Sequence, residues 1–424
     1  MLHAKDNEVR QLLLKGNFGL EKESLRITSQ GFMAHTPHPF PDEENIVRDF
    51  GENQTEINTP VVQSAEAAVA ELERFNCRIQ QTLAALPERE LLWPFSNPPY
   101  IRDEEDIPVA LFGGELAGKR NYRDYLSDRY GRYRMALCGI HFNYSFADEL
   151  LEADFSVSGQ RDFRTYKDQL YVDLAQQAAS YGWLITAVTA ASPLTDPSFS
   201  EKGRFGGASF DGMSSIRCSE LGYWNFFTPI FDYSNLSNYI DSLQRYVDAG
   251  LIRSPTELYY PIRLKPAGRN TLTALRDKGV NHIELRNIDL NPLSHAGADV
   301  RDVTFAQLLL VWLASIPCRI LEERDQVQAV QNFKSAAHYD LKTVKMVTPD
   351  GKFCSGVRAA LNVIASMKEF YADFPAEVHQ VLSFEEEKFL NVENRYAQKV
   401  RHQFDGDFVK KGLELAKSWQ ESYL

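Results

Sequence analysis

Acidic side chains sit inside apolar, strand-like runs at widely separated points of this chain, and that pattern limits its fold more than any other feature. "NFGLEKESLRI", Asn17 to Ile27, sets Glu21 and Glu23 one residue apart; "RDFGENQTE" supplies Asp49, Glu52 and Glu56; "GIHFN" supplies His141; "IELRN" supplies Glu284 and Arg286. Residues two apart in a strand share a face, roughly 6.5 to 7 Å from each other. Glu21 and Glu23 therefore point the same way, as do Glu284 and Arg286. Two carboxylates held so close need a counter-charge, and hard Mg²⁺ suits them, since it keeps waters that substrate phosphates can replace. Taken singly, each feature has a plainer reading. An E-x-E pair is also the solvated face of an edge strand, a histidine in an apolar strand is also a satisfied core residue, and Glu284 with Arg286 is also a structural ion pair. Taken together, they make most sense if the strands line one basin that holds more than one cation. Asp49 and Glu56, seven apart, would face opposite sides of an unbroken strand, so that run needs a bulge or turn, with Gly51 the place for it.

The rest of the sequence narrows the class. With 424 residues, 44% hydrophobic and 25% charged, the chain can bury a full-sized core. A net charge of −12 argues against wrapping a nucleic acid, which calls for a basic face. An acidic protein can still handle anionic substrates if metal ions stand between them. Cys77, Cys138, Cys218, Cys318 and Cys354 are scattered without a C-x-x-C pair, the usage of reduced thiols in a cytoplasmic protein. The N-terminal stretch has acidic residues and no apolar core, so it is read as neither a signal nor a transit peptide. "FAQLLLVWLASIPCRIL", Phe305 to Leu321, is interrupted by Gln307, Ser315 and Pro317. It falls short of the ~20 apolar residues of a membrane span and reads as a buried core helix.

No repeat of solenoid length and no separating linker is visible, so 1–424 is expected to be a single domain, with sheet-forming motifs over 18–292 and mostly helix over 304–424. Asn45 to Pro60 reads as a strand ending at a proline; after it Ala65, Ala68, Val69, Leu72, Phe75, Ile79 and Leu83 recur at helical spacing. A second helix is expected over Phe163 to Ala191, stopped by Pro193, and "CGIHFNYSF", "YYPIRLK" and "NHIELRNIDL" read as further strands. The Gly- and Ser-rich loop Pro193 to Ser215 is long enough to be functional or mobile. "GGELAGKR", Gly113 to Arg120, nearly matches a phosphate-cradling loop, but Arg120 stands where a Ser or Thr hydroxyl is needed, so the match is rejected. Lys119, Arg120 and Arg123 can still meet anionic groups. There is no G-x-G-x-x-G and no G-x-S-x-G either.

Six motifs in order, "FGLEKESLRI", "RDFGENQTEINTP", "YGRYRMALCGIHFNYSF", "SSIRCSELGY", "YYPIRLK" and "HIELRNIDLNP", resemble those of bacterial glutamate–cysteine ligase, over roughly Phe18 to Pro292. The resemblance implies an α+β fold, a curved, mainly antiparallel sheet forming a funnel and surrounded by helices, similar to the catalytic fold of glutamine synthetase. It implies a chain without the ATP-grasp synthetase domain of the fused glutathione-synthesising enzymes. The implied reaction phosphorylates the γ-carboxylate of L-glutamate with ATP and couples it to the α-amine of L-cysteine, the first step of glutathione biosynthesis. Carried over by position, Glu21, Glu23, Asp49, Glu56, His141 and Glu284 match ligands of two or three Mg²⁺ ions. Phe50, Tyr122, Arg123, Arg217, Tyr223 and Tyr259 match positions that hold the amino acids. Arg286, Arg263 and Lys265 would face the nucleotide's phosphates, and Arg286 and Arg217 would act in catalysis; Arg217 could instead pair with Glu220. One departure stands out. Met135 replaces a glutamine on the acceptor side, six residues before His141. The resemblance fixes the phosphorylation more firmly than the nucleophile, which leaves a ligase with another amine as the alternative; a catalytically silent relative is a third, against which the retention of every expected carboxylate and of His141 argues.

Overall fold

The computed structural model describes residues 1–112 and 117–424. The Gly113–Arg120 run therefore lies partly outside the described residues, and only 117–120 are placed, opening the helix Ala117–Tyr130.

Strand β1 (Gly16–Thr28) is 13 residues long and organises the sheet. Its first half pairs with β5 (Ile140–Phe146), its middle with β3 (Gln54–Asn58) and its end with β4 (Glu90–Leu92). Strand β2 (Ile46–Arg48) flanks β3, β7 (His282–Ile288) flanks β5, and β6 (Ile262–Lys265) flanks β7. The order is β2-β3-β1-β5-β7-β6, open at both edges, with every one of these pairings antiparallel. Period-two alternation divides the two faces. Phe18, Leu20, Phe142, Tyr144, Phe146, Ile283 and Leu285 are buried. Asn17, Gly19, Glu21, Asn143, Ser145, His282 and Arg286 remain partly accessible on the other face.

Helices cover the apolar face. Ala65–Ala85 buries Ala65, Ala68, Val69, Leu72, Phe75, Ile79 and Leu83, as their spacing requires, and Ser64 caps it by accepting from Ala67 N at 3.1 Å. Val300–Ser315 runs through the interior. Among the described residues no helix is long and apolar enough to cross a membrane, and all five cysteines are free thiols.

Three expectations need correction. Asn45–Pro60 is a hairpin rather than one strand, with its turn at Gly51 as the spacing of Asp49 and Glu56 required: the chain reverses between β2 and β3, where Gly51 O accepts from Gln54 N at 3.1 Å. The predicted helix Phe163–Ala191 divides into Phe163–Tyr181 and Trp183–Thr189 at Gly182, whose Cβ would lie 2.5 Å from the Ala178 carbonyl and 3.0 Å from Phe333. The helix predicted over Phe305–Leu321 stops at Ser315, ahead of Pro317. The region after Thr304 is mostly helical, as expected, and also carries a small hairpin, β8 (Lys345–Val347) with β9 (Phe353–Ser355). The Pro193–Ser215 loop is anchored: 193–198 and 213–215 are buried, with bridges from Ser192 to Ser215 and from Met213 to His338.

Candidate active site

The accessible face of the sheet gathers its charges where β1, β5 and β7 lie side by side. Glu21 stands opposite His141, and Oε2 lies 2.8 Å from Nδ1. Between Ile140 and Phe142 the β5/β7 register slips, so His141 sits at a bulge, where a strand can re-aim a side chain. Glu284 Oε1 approaches His141 Nδ1 at 3.9 Å, and Glu23 Oε1 approaches Nε2 at 3.6 Å. One ligand atom from each of Glu21, His141 and Glu284 lies within 4.8 Å of the others. Glu23 also faces Glu56 directly across β1 and β3.

Burial, reinforced by the charge of Asp49, raises the Glu23 carboxyl to about 8 against the pull of Arg217 and Arg286. Burial likewise drives Glu56 well above the ordinary range, with Asp49, Glu21 and Glu23 adding to it. Glu284 goes the other way. Burial opposes ionisation, but Arg286, Lys265 and Arg263 outweigh it and hold the carboxyl well below its usual value. For Glu21, burial and the Glu284 charge oppose ionisation, but the hydrogen bond and charge of His141 together with Lys265 outweigh them, and its pKa falls. Burial and the neighbouring Arg286 bring His141 down to about 4, so the imidazole is neutral. Its Nδ1 lies 2.8 Å from Glu21 Oε2 and 3.2 Å from Arg286 Nη1, and its Nε2 lies 3.2 Å from Arg217 Nη2.

These residues fit a divalent cation. Glu23, Asp49 and Glu56 repel one another, a cost that a bound cation would relieve, and Glu284 Oε2 has no hydrogen-bond partner among the described residues. Carboxylate oxygens suit Mg²⁺, and one imidazole nitrogen makes Mn²⁺ equally acceptable.

Cations surround the group. Lys265 Nζ lies 3.2 Å from Glu284 Oε1, and Arg286 Nη1 donates to the same oxygen at 3.0 Å. Arg217 Nη1 donates to the Arg286 carbonyl. Gly139 is what admits Arg217, because a Cβ there would lie 2.4 Å from Arg217 Cζ. Glu220 pairs with His338 at 3.1 Å rather than with Arg217. Arg217 and Arg286 line a cavity with Cys218, Tyr223, Trp224 and Tyr259. Tyr223 and Tyr259 meet edge to face, 5.0 Å between ring centres, and Met135 Sδ lies 3.9 Å from the Tyr259 hydroxyl.

Other expected residues sit differently. Phe50 is buried in the core and presents no contact surface. Arg263 donates through Nε and Nη2 to the Thr256 and Leu258 carbonyls and lies 4.0 Å from Glu284, so it holds a loop and counters a charge, with Nη1 left without a partner among the described residues. Tyr122 reaches Thr256 Oγ1 at 3.4 Å, and Arg123 donates to the Asp49 carbonyl. Glu52, grouped by sequence with Asp49 and Glu56, turns away: it accepts from His38 N and Leu111 N at 2.8 and 2.7 Å and pairs with Arg48 at 3.3 Å. Asn143 was missed. It donates to Glu21 Oε1 at 3.0 Å, and its position two residues after His141 on β5 was the available signal.

The glutamate-cysteine ligase family model matches residues 2–251 and 228–336, well over half of the chain. The chain belongs to the glutamate–cysteine ligase family. The glutathione biosynthesis bifunctional protein GshAB of Listeria monocytogenes is 34% identical over 435 residues, covering 98% of this chain and 56% of that protein. The glutamate–cysteine ligase of Clostridium acetobutylicum is 29% identical over 481 residues, covering 99% of this chain and 98% of its own length. The chain thus spans about half the length of the bifunctional relatives it matches. Among solved structures, the Francisella tularensis glutamate–cysteine ligase in complex with AMP superimposes with a TM-score of 0.86 at 22% identity, covering 96% of this chain and 89% of that one. The bifunctional glutathione synthetase of Pasteurella multocida gives 0.84 at 23%, covering 98% and 54%. Both share the fold of this glutamate–cysteine ligase family member.

Proposed function

We propose that this chain is a cytoplasmic, ATP-dependent carboxylate–amine ligase that joins the γ-carboxylate of L-glutamate to the α-amine of L-cysteine, and that 1–424 acts as one catalytic domain. The observation that carries the reading is the convergence of Glu21, His141 and Glu284, ringed by Arg286, Lys265 and Arg217, on one accessible sheet face. A carboxylate is a poor electrophile, and phosphorylation supplies a leaving group. One γ-carboxylate oxygen attacks the γ-phosphorus of ATP and the bond to ADP breaks. The amine nitrogen then attacks the acyl carbon, phosphate leaves, the amine gives up a proton, and an amide remains.

Glu21, His141 and Glu284 on one side, and Glu23, Asp49 and Glu56 on the other, would hold two or three Mg²⁺ ions. Bound there, the metal would neutralise phosphoryl charge. Arg286 uses only Nη1 for Glu284 and His141 among the described residues, which leaves its remaining donors for phosphate oxygens. Lys265 adds a compact positive charge beside it. Arg217, aligned by His141 and by the Arg286 carbonyl, orients an amino-acid carboxylate, while Tyr223, Tyr259 and Met135 enclose the acceptor. Arg217, Arg286, Tyr223 and Tyr259 line one cavity, which would seat an amino acid beside the phosphoryl donor.

A second reading keeps the chemistry and changes the amine, because Met135 offers a thioether where an amide would read polar groups. The acyl phosphate itself can be tested with glutamate carrying oxygen-18 in its γ-carboxylate. One label should leave with each phosphate released; phosphate without label would exclude this route.

A further inference from the structure

Asp289 follows directly on β7, three residues after Arg286, and is 2% exposed. A carboxylate so deeply buried is costly unless donors meet it, and three do. Oδ2 accepts from Ala191 N at 3.0 Å and from Ser192 Oγ at 2.6 Å, while Oδ1 accepts from Ser215 Oγ at 2.8 Å. Two of the bonds hold the segment after the helix Trp183–Thr189; the third goes to the turn that carries Arg217.

Ser215 sits at the base of that turn and is fully buried. Its hydroxyl gives its one proton to Asp289 and accepts from Cys218 N at 3.1 Å. Its carbonyl accepts from Ser219 N, also at 3.1 Å. Serine bonds of this kind shape a turn locally, so Ser215 passes the placement of Asp289 on to the backbone around Arg217.

Strand β7 and its extension therefore reach the turn twice. The Arg286 carbonyl accepts from Arg217 Nη1 at the tip of the side chain, and Asp289 holds the backbone beneath it through Ser215. With Nη2 3.2 Å from His141 Nε2, the guanidinium is fixed relative to the strands that carry His141 and Glu284. Asp289 and Ser215 are not among the residues that line the cavity beside Arg217, so what they do for a substrate they do through that arginine.

We propose that Asp289 is a positioning residue for Arg217, fixing through Ser215 the backbone from which the guanidinium meets the carboxylate of an amino-acid substrate; the proposal rests on the ligase reading. A small shift of that backbone takes the guanidinium's donors off the carboxylate, and orientation is then lost with no loss of charge. Lys265 and the carboxylates on β1 do not hang on this turn, so nucleotide binding is spared.

The test compares two serines that bond the same carboxylate. Ser215→Ala cuts the link to the turn, and Ser192→Ala cuts the bond on the other side; both positions are buried, so both should melt earlier than the wild type. Ser215→Ala should raise the KM for an amino-acid substrate about three- to tenfold, with the KM for ATP unchanged. Ser192→Ala should leave both KM values unchanged. Asp289→Asn is the second variant: Ala191 N can only donate, so the amide oxygen stays there and Nδ2 faces Ser215, and the amino-acid KM should rise again. In an Arg217→Lys background Ser215→Ala should add little. An amino-acid KM unchanged in both Ser215→Ala and Asp289→Asn, or raised equally by Ser192→Ala, overturns the proposal, as does an ATP KM that rises in parallel. Failure of both variants to fold assigns Asp289 to stability alone and overturns it too. A wild type that releases no ADP with any amine removes the ligase reading, and this role with it.

Discussion

Glu21 Oε2 and His141 Nδ1 lie 2.8 Å apart, opposite each other on β1 and β5. That contact ties the orientation of the imidazole to a carboxylate on a different strand, and His141 in turn aligns Arg217. Glu21 keeps 23% of its side-chain surface exposed, while Glu284 keeps none. The two carboxylates should therefore respond differently to substitution. Glu21→Gln should lower metal-dependent turnover roughly 10²-fold or more with melting nearly unchanged. Glu284→Gln should also destabilise the protein, by about 3–5 kcal/mol, because Arg286, Lys265 and Arg263 lose their counter-charge. Turnover assays with thermal melts on the same samples check both; a Glu21→Gln enzyme that turns over normally at saturating Mg²⁺ contradicts the metal assignment.

Gly139 and Arg217 form a second pair. A methyl group at Gly139 would overlap the guanidinium, so Gly139→Ala should mimic Arg217→Lys. Each is expected to raise the KM for an amino-acid substrate about tenfold or more. The double variant should be little worse than either single, since both disturb one interaction. Additive effects in steady-state kinetics would mean that the two residues act separately.

Much of this arrangement was legible in the sequence, for reasons that show where legibility ended. β5, β7 and the helix Ala65–Ala85 follow apolar periods that survive in the structure, and His141, Glu284 and Arg286 sit on the face that those periods assign. The Asn45–Pro60 run carried a strand pattern with a reversal inside it. In the turn at Gly51 the alternation lapses, and Glu52 was grouped with the wrong partners. The break at Gly182 was hidden because apolar residues continue on both sides; its cause is contact with Phe333, 151 positions away in sequence. For Arg263 the sequence could not show that the carbonyls of Thr256 and Leu258 take Nε and Nη2, which leaves Nη1 as its one nitrogen without a partner among the described residues.

Met135 lies against the Tyr259 hydroxyl through its sulfur. A lost amide hydrogen bond is worth ~0.5–1.5 kcal/mol, about three- to tenfold in affinity. The wild type should then favour cysteine but also use 2-aminobutyrate, and Met135→Gln should sharpen the preference by that factor. Competition kinetics with the two amines give the ratio directly, and an unchanged ratio would remove Met135 from acceptor selection.

Lys388 is buried between Asp302 and Glu385, its Nζ 2.8 and 2.7 Å from their oxygens. Burial raises the Glu385 carboxyl well above its usual range, only partly countered by Lys388. A folded-state carboxyl pKa above the unfolded value means that the native state holds the extra proton, so stability falls as pH rises through that interval. Lys388→Met removes the countering charge and should cost about 3–5 kcal/mol near neutral pH. The deficit should shrink as pH falls toward the unfolded carboxylate value of about 4. Urea unfolding at several pH values checks the sign; a deficit that grows on acidification would contradict it.

The most direct measurement is ADP release from ATP with L-glutamate and Mg²⁺ across a panel of amines, with mass detection of the products. The expected result is one ADP per product, a product with the mass of glutamate plus cysteine less one water, and loss of both when Mg²⁺ is chelated. No ADP with any amine, or ADP at the same rate with no amine and no new amide, would contradict the assignment of this chain as a γ-glutamyl ligase.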